Sequence, residues 1–321
     1  MAGIASERVL LTGGAGVIGR EVIRLAGEMG WTVLSIDRLP LPEPPPAGTS
    51  HVQADLAVAD LSMIEAFGPT VILHLAATFE RSEETPDFWE PNWADNTTVS
   101  HRLAELARDL RDLRALVFAS SYLVYDPGPY LRPSPEGPAT MLSERAPLAP
   151  RNLCGAAKLY AESEFSFAAE TAPTRFRTAF ARIFRVYGRD SRDVVSRFVH
   201  AALAGEPLDV YRPENRFDYV HAQDVAEGLL RIAAEPDASG AINLAGGRAR
   251  SIGEVVEAIR SALPGRAVQT RLRDSDEPFE ASQADIGRLE AVLRWRPSIS
   301  LEEGVRSIVA HEESSCDAAR A

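Results

Sequence analysis

The chain is poor in cysteine: Cys154 and Cys316 are the only two in 321 residues, far apart and without metal-ligand spacing. That excludes a disulfide-stapled scaffold and a cysteine-based zinc site. Long apolar runs are missing as well. No stretch reaches 18 residues, so neither a membrane-spanning helix nor a membrane partner is expected. Positive charge is in deficit, with 34 Lys and Arg against 46 Asp and Glu and a formal charge of −12. Electrostatic capture of nucleic acid or of an anionic lipid surface is therefore disfavoured, and any anionic ligand must be met by arginines gathered locally. Internal repeats are absent. The chain enters a strand near Arg8 without the charged segment and long apolar core of a secretory signal. A reducing cytoplasm is the expected setting.

What is present is globular material, 45% hydrophobic and 25% charged, long enough to bury a large core. Short apolar runs alternate with helical patterns through the first half, the signature of a doubly wound α/β fold around a parallel sheet. The patterns predict strands at Val9–Thr12, Thr32–Asp37, His51–Asp55, Val71–Ala76 and Leu116–Ser121. Helices are predicted at Val17–Met29, Leu61–Phe67, Asn96–Arg111 and Arg151–Glu170, followed by one strand over Thr178–Tyr187. Helices at Val194–Ala204, Asp224–Ala234 and Ile252–Ala262, with short strands between, point to a smaller lobe. The proline-rich stretches Leu39–Gly48 and Asp126–Pro138 read as surface loops, because proline cannot continue a helix or a central strand. The expected division is a dinucleotide domain over 1–187, a lobe mainly over 188–312 with some elements returning to the sheet, and a flexible tail over 313–321.

Thr12-Gly13-Gly14-Ala15-Gly16-Val17-Ile18-Gly19 closes the first strand and opens the first helix. Glycine at 13, 16 and 19 lets the backbone turn tightly, lets a pyrophosphate approach, and lets helix and strand pack closely. The helix start at Val17 and Ile18 then faces the phosphates with free amides and the positive end of its dipole. Asp37 ends the second strand 18 residues after Gly19, where an acid accepts the hydroxyls of an adenine ribose. A carboxylate there repels a 2′-phosphate, so NAD is expected over NADP, with Arg38 beside it.

Several further segments, in order, resemble the extended short-chain dehydrogenase/reductases, specifically the NAD-dependent nucleotide-sugar epimerases and dehydratases, over nearly the full length. Ala54-Asp55-Leu56 resembles the strand end that meets adenine, and His74-Leu75-Ala76-Ala77 the strand passing under the cofactor. Asn96 is similar to the asparagine that opens the next helix in that family. Phe118-Ala119-Ser120-Ser121-Tyr122-Leu123-Val124-Tyr125 resembles the strand carrying the catalytic Ser or Thr, which makes Ser121 the expected counterpart. Arg182 to Gly188 looks like the strand bordering nicotinamide and substrate, with Phe184 on the cofactor side. Phe217-Asp218-Tyr219-Val220-His221 and Leu293-Arg294-Trp295-Arg296-Pro297 are similar to the lobe and C-terminal signatures. The resemblance implies a homodimer built on the helices at 96–111 and 151–170.

In such enzymes a Tyr and a Lys four residues later share one helix face. Here Lys158 is preceded at that spacing by Cys154, in a segment that otherwise matches. The resemblance gives Lys158 the nicotinamide ribose. A thiol can serve as an acid/base, since its reference pKa of about 8.5 falls further beside an ammonium. Its reach is the difficulty, because the sulfur sits roughly 4 Å closer to the backbone than a tyrosine oxygen. Three readings of Cys154 stay open: a working acid/base or nucleophile, a small spacer beside chemistry done by others, or a site without turnover. Tyr122 and Tyr125 are the nearby phenols that could stand in.

Nucleotide sugars need cationic donors for their phosphates, and Arg is the best fork for them. Candidates on the substrate side are Ser121, Tyr122, Arg185, Arg192 and Arg216. Arg185 stands where the family carries Asn, and Arg216 lies one residue before the family's lobe arginine, a shift that turns a strand side chain to the other face. The expected activity is epimerisation of a sugar, most simply a nucleotide sugar, through a transient ketone. Elimination on such a sugar, and a cofactor-bound scaffold or sensor without turnover, are the alternatives.

Overall fold

The computed structural model describes residues 6–79 and 86–320. Seven strands form one parallel sheet in the order Gly240–Leu244, Arg177–Ile183, Ala115–Ser121, Val71–His74, Arg8–Thr12, Thr32–Asp37 and Thr49–Gln53. The central strands are buried on both faces, which explains why they read as nearly continuous apolar runs. Alternate residues go to opposite sides. Val9, Leu11, Val33, Leu73 and Val117 enter one core, and Leu10, Leu34, Ile36, Ile72, Leu116 and Phe118 the other. The chain leaves the Arg8–Thr12 strand in one direction and returns beyond it at Val71–His74, so the strand order reverses there and opens a crevice at the carboxyl ends.

The lobe has its own core, in which Tyr187, Val195, Val199, Ile259, Val305 and Ile308 pack between the helices Val194–Leu203, Ile252–Ala262 and Leu301–Arg320. Its small sheet joins Arg185–Tyr187 and Ala249–Ser251 to either side of Arg216–His221. Among the described residues, no helix is long and apolar enough to cross a membrane.

Three expectations need correction. The strand predicted over Thr178–Tyr187 is two: Arg177–Ile183 lies in the main sheet, and after Phe184 the chain crosses to pair Arg185–Tyr187 with Tyr219–His221 of the lobe. The helix expected to open at Asn96 begins at Trp89, continues as a π-helical segment over Trp93–Thr98 and becomes α-helical at Val99–Asp109. Pro91 lies in its first turn, where no amide donor is needed, and so does not break it. The stretch Asp126–Pro138 is no simple surface loop. Tyr130 is fully buried, and Leu131–Arg132 pairs antiparallel with Phe279–Glu280. The helix from Leu301 runs to Arg320 and is tied to the lobe by Glu312 to His200 and by Glu313 to Arg266.

Candidate active site

The glycine turn fits a pyrophosphate for steric reasons. Gly13 has φ +78°, and a Cβ there would lie 2.7 Å from the Ala76 nitrogen; a Cβ on Gly19 would lie 2.2 Å from the Gly13 carbonyl oxygen. Glycine alone allows this approach of helix to strand ends. Gly16 caps the helix Val17–Glu28 with no side-chain hydrogen bond, which leaves the first-turn amides open toward the crevice. Leu75 and Ala76 amides both donate to Thr12 Oγ1, at 3.2 and 3.1 Å, and hold the neighbouring strand end against the turn.

Asp37 is fixed by the Ala15 amide on one oxygen and the Leu39 amide on the other, both at 3.0 Å. Arg38 forks onto Asp95 at 2.9 and 2.8 Å. Asp37, Asp55, Leu56, Ala76, Ala77 and Asp95 line one small cavity. Asn96 acts on the backbone: its amide group donates to the Thr78 carbonyl at 3.0 Å and its carbonyl accepts the Thr78 amide at 2.8 Å. The segment after Ala77 is thereby pinned beside the crevice. His74, quoted above only as part of a motif, is buried between Thr12 Oγ1 at 2.7 Å and Ser100 Oγ at 3.1 Å. Burial, with the Lys158 charge in addition, holds its pKa well below the ordinary value, so it stays neutral.

Ser121 ends its strand, and its hydroxyl accepts the Leu123 amide at 3.2 Å, capping the turn Tyr122–Val124. The hydroxyl proton remains available to donate. Against this turn docks the helix Leu153–Thr171, started by Asn152, whose side chain accepts the Gly155 amide at 2.9 Å. Gly155 makes the docking possible, because a Cβ there would lie 2.5 Å from the Leu123 carbonyl oxygen. Cys154 and Lys158 are consequently buried on one face, one turn apart. Cys154 Sγ lies 3.9 Å from the Thr78 carbonyl, and Lys158 Nζ stands 4.6 Å from the Phe118 ring centre. Burial lowers the Lys158 pKa from its usual value, and Cys154 partly offsets this. Lys158 is also the only lysine in the chain; the other 33 of its 34 basic residues are arginine. A chain that uses arginine everywhere else and keeps one lysine, buried, at this position carries a compositional signal that motif reading passed over.

The two nearby phenols are both engaged as donors. Tyr125 is fully buried and donates to Asn243 Oδ1 at 2.6 Å, with its pKa pushed up to about 12 chiefly by burial. Tyr122 donates to Glu280 Oε1 at 3.0 Å, and burial raises its pKa further still. Both are held as neutral donors.

On the substrate side, Phe184 stacks on Tyr122 with ring centres 5.0 Å apart. Arg185 lies beside them. Arg192 is exposed in the segment before the helix Val194–Leu203. Arg216 turns away from these groups and donates to the Gly137 carbonyl at 2.8 Å, lining a separate cavity with Glu214 and Glu254. Sequence reasoning missed Glu280 and Arg151: the buried Glu280 carboxylate pairs with the partly exposed Arg151 at 2.5 Å, next to Tyr122. Glu280 has no local signature, since it arrives through the pairing of Phe279–Glu280 with Leu131–Arg132.

Comparison with known proteins gives the family. Residues 9–245 match the NAD dependent epimerase/dehydratase family, and the chain belongs to that family. It is 26% identical to the uncharacterized UDP-glucose epimerase YtcB of Bacillus subtilis (strain 168), over 96% of this chain and 98% of the relative. It is 28% identical to the UDP-glucose 4-epimerase of Azospirillum brasilense, covering 97% and 93%. Among solved structures, MoeE5 in complex with UDP-glucose and NAD superposes with a TM-score of 0.82 at 26% identity, covering 96% of this chain and 99% of that one.

Proposed function

We propose that this protein is an NAD-dependent epimerase of a nucleotide-linked sugar that oxidises a ring hydroxyl and reduces the ketone from the opposite face. The observation that carries the reading is a buried lysine one turn after Cys154, on a helix docked against Ser121, beside a turn only glycine can make. The turn from Gly13 to Gly19, with Val17 and Ile18, would hold the pyrophosphate, Asp37 the adenine ribose, and Asp55, Leu56, Leu75, Ala76 and Ala77 the adenine side. Arg38 and Asn96 support that surface, and Phe184 borders the nicotinamide. Bound NAD supplies a hydride acceptor that stays in the site and can return what it takes.

Ser121 donates to the reacting oxygen. Cys154 takes the hydroxyl proton, through a water where the sulfur falls short, and gives it back when the ketone is reduced. Lys158 favours the thiolate by its charge and would hold the nicotinamide ribose. The relatives' substrates support a UDP-sugar. Reactant and product are isomers, so proton and hydride both balance over a turnover.

The test follows interconversion of UDP-glucose and UDP-galactose by NMR on purified protein. Wild type is expected to carry NAD and exchange the isomers, and Lys158→Ala to lose about 10³-fold in rate. Full activity in that variant overturns the assignment. The engaged hydroxyls of Tyr122 and Tyr125 favour one second reading, a cofactor-bound sensor that binds sugar nucleotides without exchange. Cys154→Tyr separates the two, because a sensor with an otherwise intact site gains exchange, whereas an enzyme using its thiol loses it.

The lobe boundary near 187–188 and a cytoplasmic, homodimeric protein belong to the same proposal. Trp89, Trp93, Tyr160 and Phe167 expose apolar rings on the packed helices Trp89–Asp109 and Leu153–Thr171. A second copy covers such a face, and sedimentation at low concentration tests it.

A further inference from the structure

The last helix carries side chains that the site around Lys158 does not use. Among the described residues, Asp190, His311 and Glu312 are the one group of histidine and carboxylate side chains whose ligand atoms all lie within 4.8 Å of one another. Asp190 comes three residues after the strand Arg185–Tyr187, and His311 and Glu312 sit on the helix Leu301–Arg320. A fourth donor comes from a third element. His200, on the helix Val194–Leu203, has its Nε2 3.0 Å from Glu312 Oε1. His200 and His311 lie more than 100 residues apart, so no spacing motif announces the group.

The spacings are those of a coordination shell. Zinc bonds of about 2.0–2.1 Å to nitrogen and oxygen, opened to the tetrahedral angle, put neighbouring donor atoms about 3.3 Å apart. His311 Nε2 stands 3.5 Å from Asp190 Oδ1, and His200 Nε2 stands 3.0 Å from Glu312 Oε1, so two nitrogen–oxygen edges are already near that length. The two edges close on one ion by rotation of side chains that are between 21% and 47% exposed, which also gives the ion its path from solvent.

Asp190 is held ready for this. Arg20 Nη1 lies 2.6 Å from its Oδ2 and leaves Oδ1 turned to His311. Such an outer partner fixes the direction of a metal-binding carboxylate without using the ligand oxygen. The donor set also selects the ion. Magnesium and calcium take oxygen ligands, whereas imidazole nitrogen combined with carboxylate oxygen in a four-coordinate set suits zinc.

We propose that Asp190, His200, His311 and Glu312 bind one divalent ion of the zinc class, which clasps the helix Leu301–Arg320 to the helix Val194–Leu203 and to the segment after Tyr187. Four protein ligands close the shell, so the ion is structural and takes no part in the sugar chemistry. Through Arg20, on the helix Val17–Glu28, the clasp reaches the dinucleotide domain. The inference does not depend on the epimerase reading.

The experiment uses the full-length protein with its NAD, stripped of metal by dialysis against a chelator, and titrates ZnCl2 by calorimetry with MgCl2 as the control ion. One Zn2+ per chain is expected to bind with a Kd on the order of micromolar or tighter, and Mg2+ not to bind in that range. Co2+ in place of Zn2+ should give the intense visible absorption of a four-coordinate ion. His200→Ala and His311→Ala are each expected to weaken Zn2+ by about 100-fold, because loss of a ligand costs at least the 10–100-fold of an outer partner. His101→Ala, which removes the histidine paired with Glu164, leaves the affinity as it was. Zn2+ should slow hydrogen exchange in Val194–Leu203 and Leu301–Arg320 and not at the glycine turn. Retained NAD shows that the variants are folded. No Zn2+ uptake below about 1 mM overturns the proposal. So does either His200→Ala or His311→Ala binding Zn2+ as tightly as wild type, or a pale, octahedral Co2+ spectrum.

Discussion

The crevice at the glycine turn and the cleft beside Tyr122 are built of different material. In the crevice the backbone does the recognising: glycine turns, open amides of one helix start, and strand ends held by Thr12 and Asn96. The cleft is walled by long side chains, with Arg151, Arg185, Glu280 and Tyr122 drawn from four separate segments. Backbone recognition leaves one sterically allowed solution. A side-chain network can be altered one member at a time.

Breaking the crevice should have the largest effect. Gly19→Ala puts a methyl 2.2 Å from the Gly13 carbonyl oxygen, so helix and turn must separate. The purified variant is expected to lose its NAD, read by absorbance after denaturation, and with it all isomer exchange. Full retention of NAD would show that the turn has slack and would remove the contrast between the two regions.

The cleft is expected to respond by degrees. Glu280→Ala leaves Arg151 and Arg185 without their carboxylate, and because both arginines are partly exposed the cost in urea unfolding is expected to fall below that of a fully buried pair, about 3–5 kcal/mol. Burial alone would raise the Glu280 pKa, but Arg185 and Arg151 hold it below the ordinary carboxylate range. The native pair therefore stabilises the fold above the unfolded carboxyl pKa and loses that contribution as the solution is acidified through the folded value. NAD content of the folded Glu280→Ala fraction should equal that of wild type, which sharpens the separation of crevice from cleft.

The smallest effect is a pH dependence of the opposite sign. Asp218 follows Phe217 and ties the lobe strand to the Gly247 and Ala284 amides at 3.1 and 3.0 Å. Burial raises its pKa to about 6, against the pull of those amides. A raised folded pKa means stability present at low pH and lost as pH rises through about 6, worth about 2–3 kcal/mol. Unfolding midpoints measured from pH 4 to pH 7 should fall for wild type and stay flatter for Asp218→Asn.

The parts of the site that could be read beforehand are those carried within one segment. Gly13 to Gly19, Asp37, Ser121 and the spacing of Cys154 and Lys158 each lie inside a single turn, strand end or helix, where local geometry decides which neighbours meet. The departures come from pairings between distant segments. Phe184 marks a change of sheet because Arg185 finds a better partner in Tyr219 than in the main sheet. Asn96 sits inside a π-helical segment because its side chain is used to hold Thr78. The stretch around Tyr130 looked like solvent-facing loop because its prolines exclude regular structure, yet two of its residues suffice to form a ladder with Phe279–Glu280.

By itself, then, the sequence determined the sheet, the glycine turn and the helix that presents Cys154 and Lys158, since steric limits and hydrophobic periodicity act over a few residues. Only the tertiary structure decided that Tyr122 and Tyr125 are tied up as donors, that Arg216 faces elsewhere, and that Glu280 stands between Arg151 and Arg185. Those outcomes depend on which buried charges and hydroxyls can satisfy one another, a condition set by residues more than 100 positions apart, such as Tyr122 and Glu280.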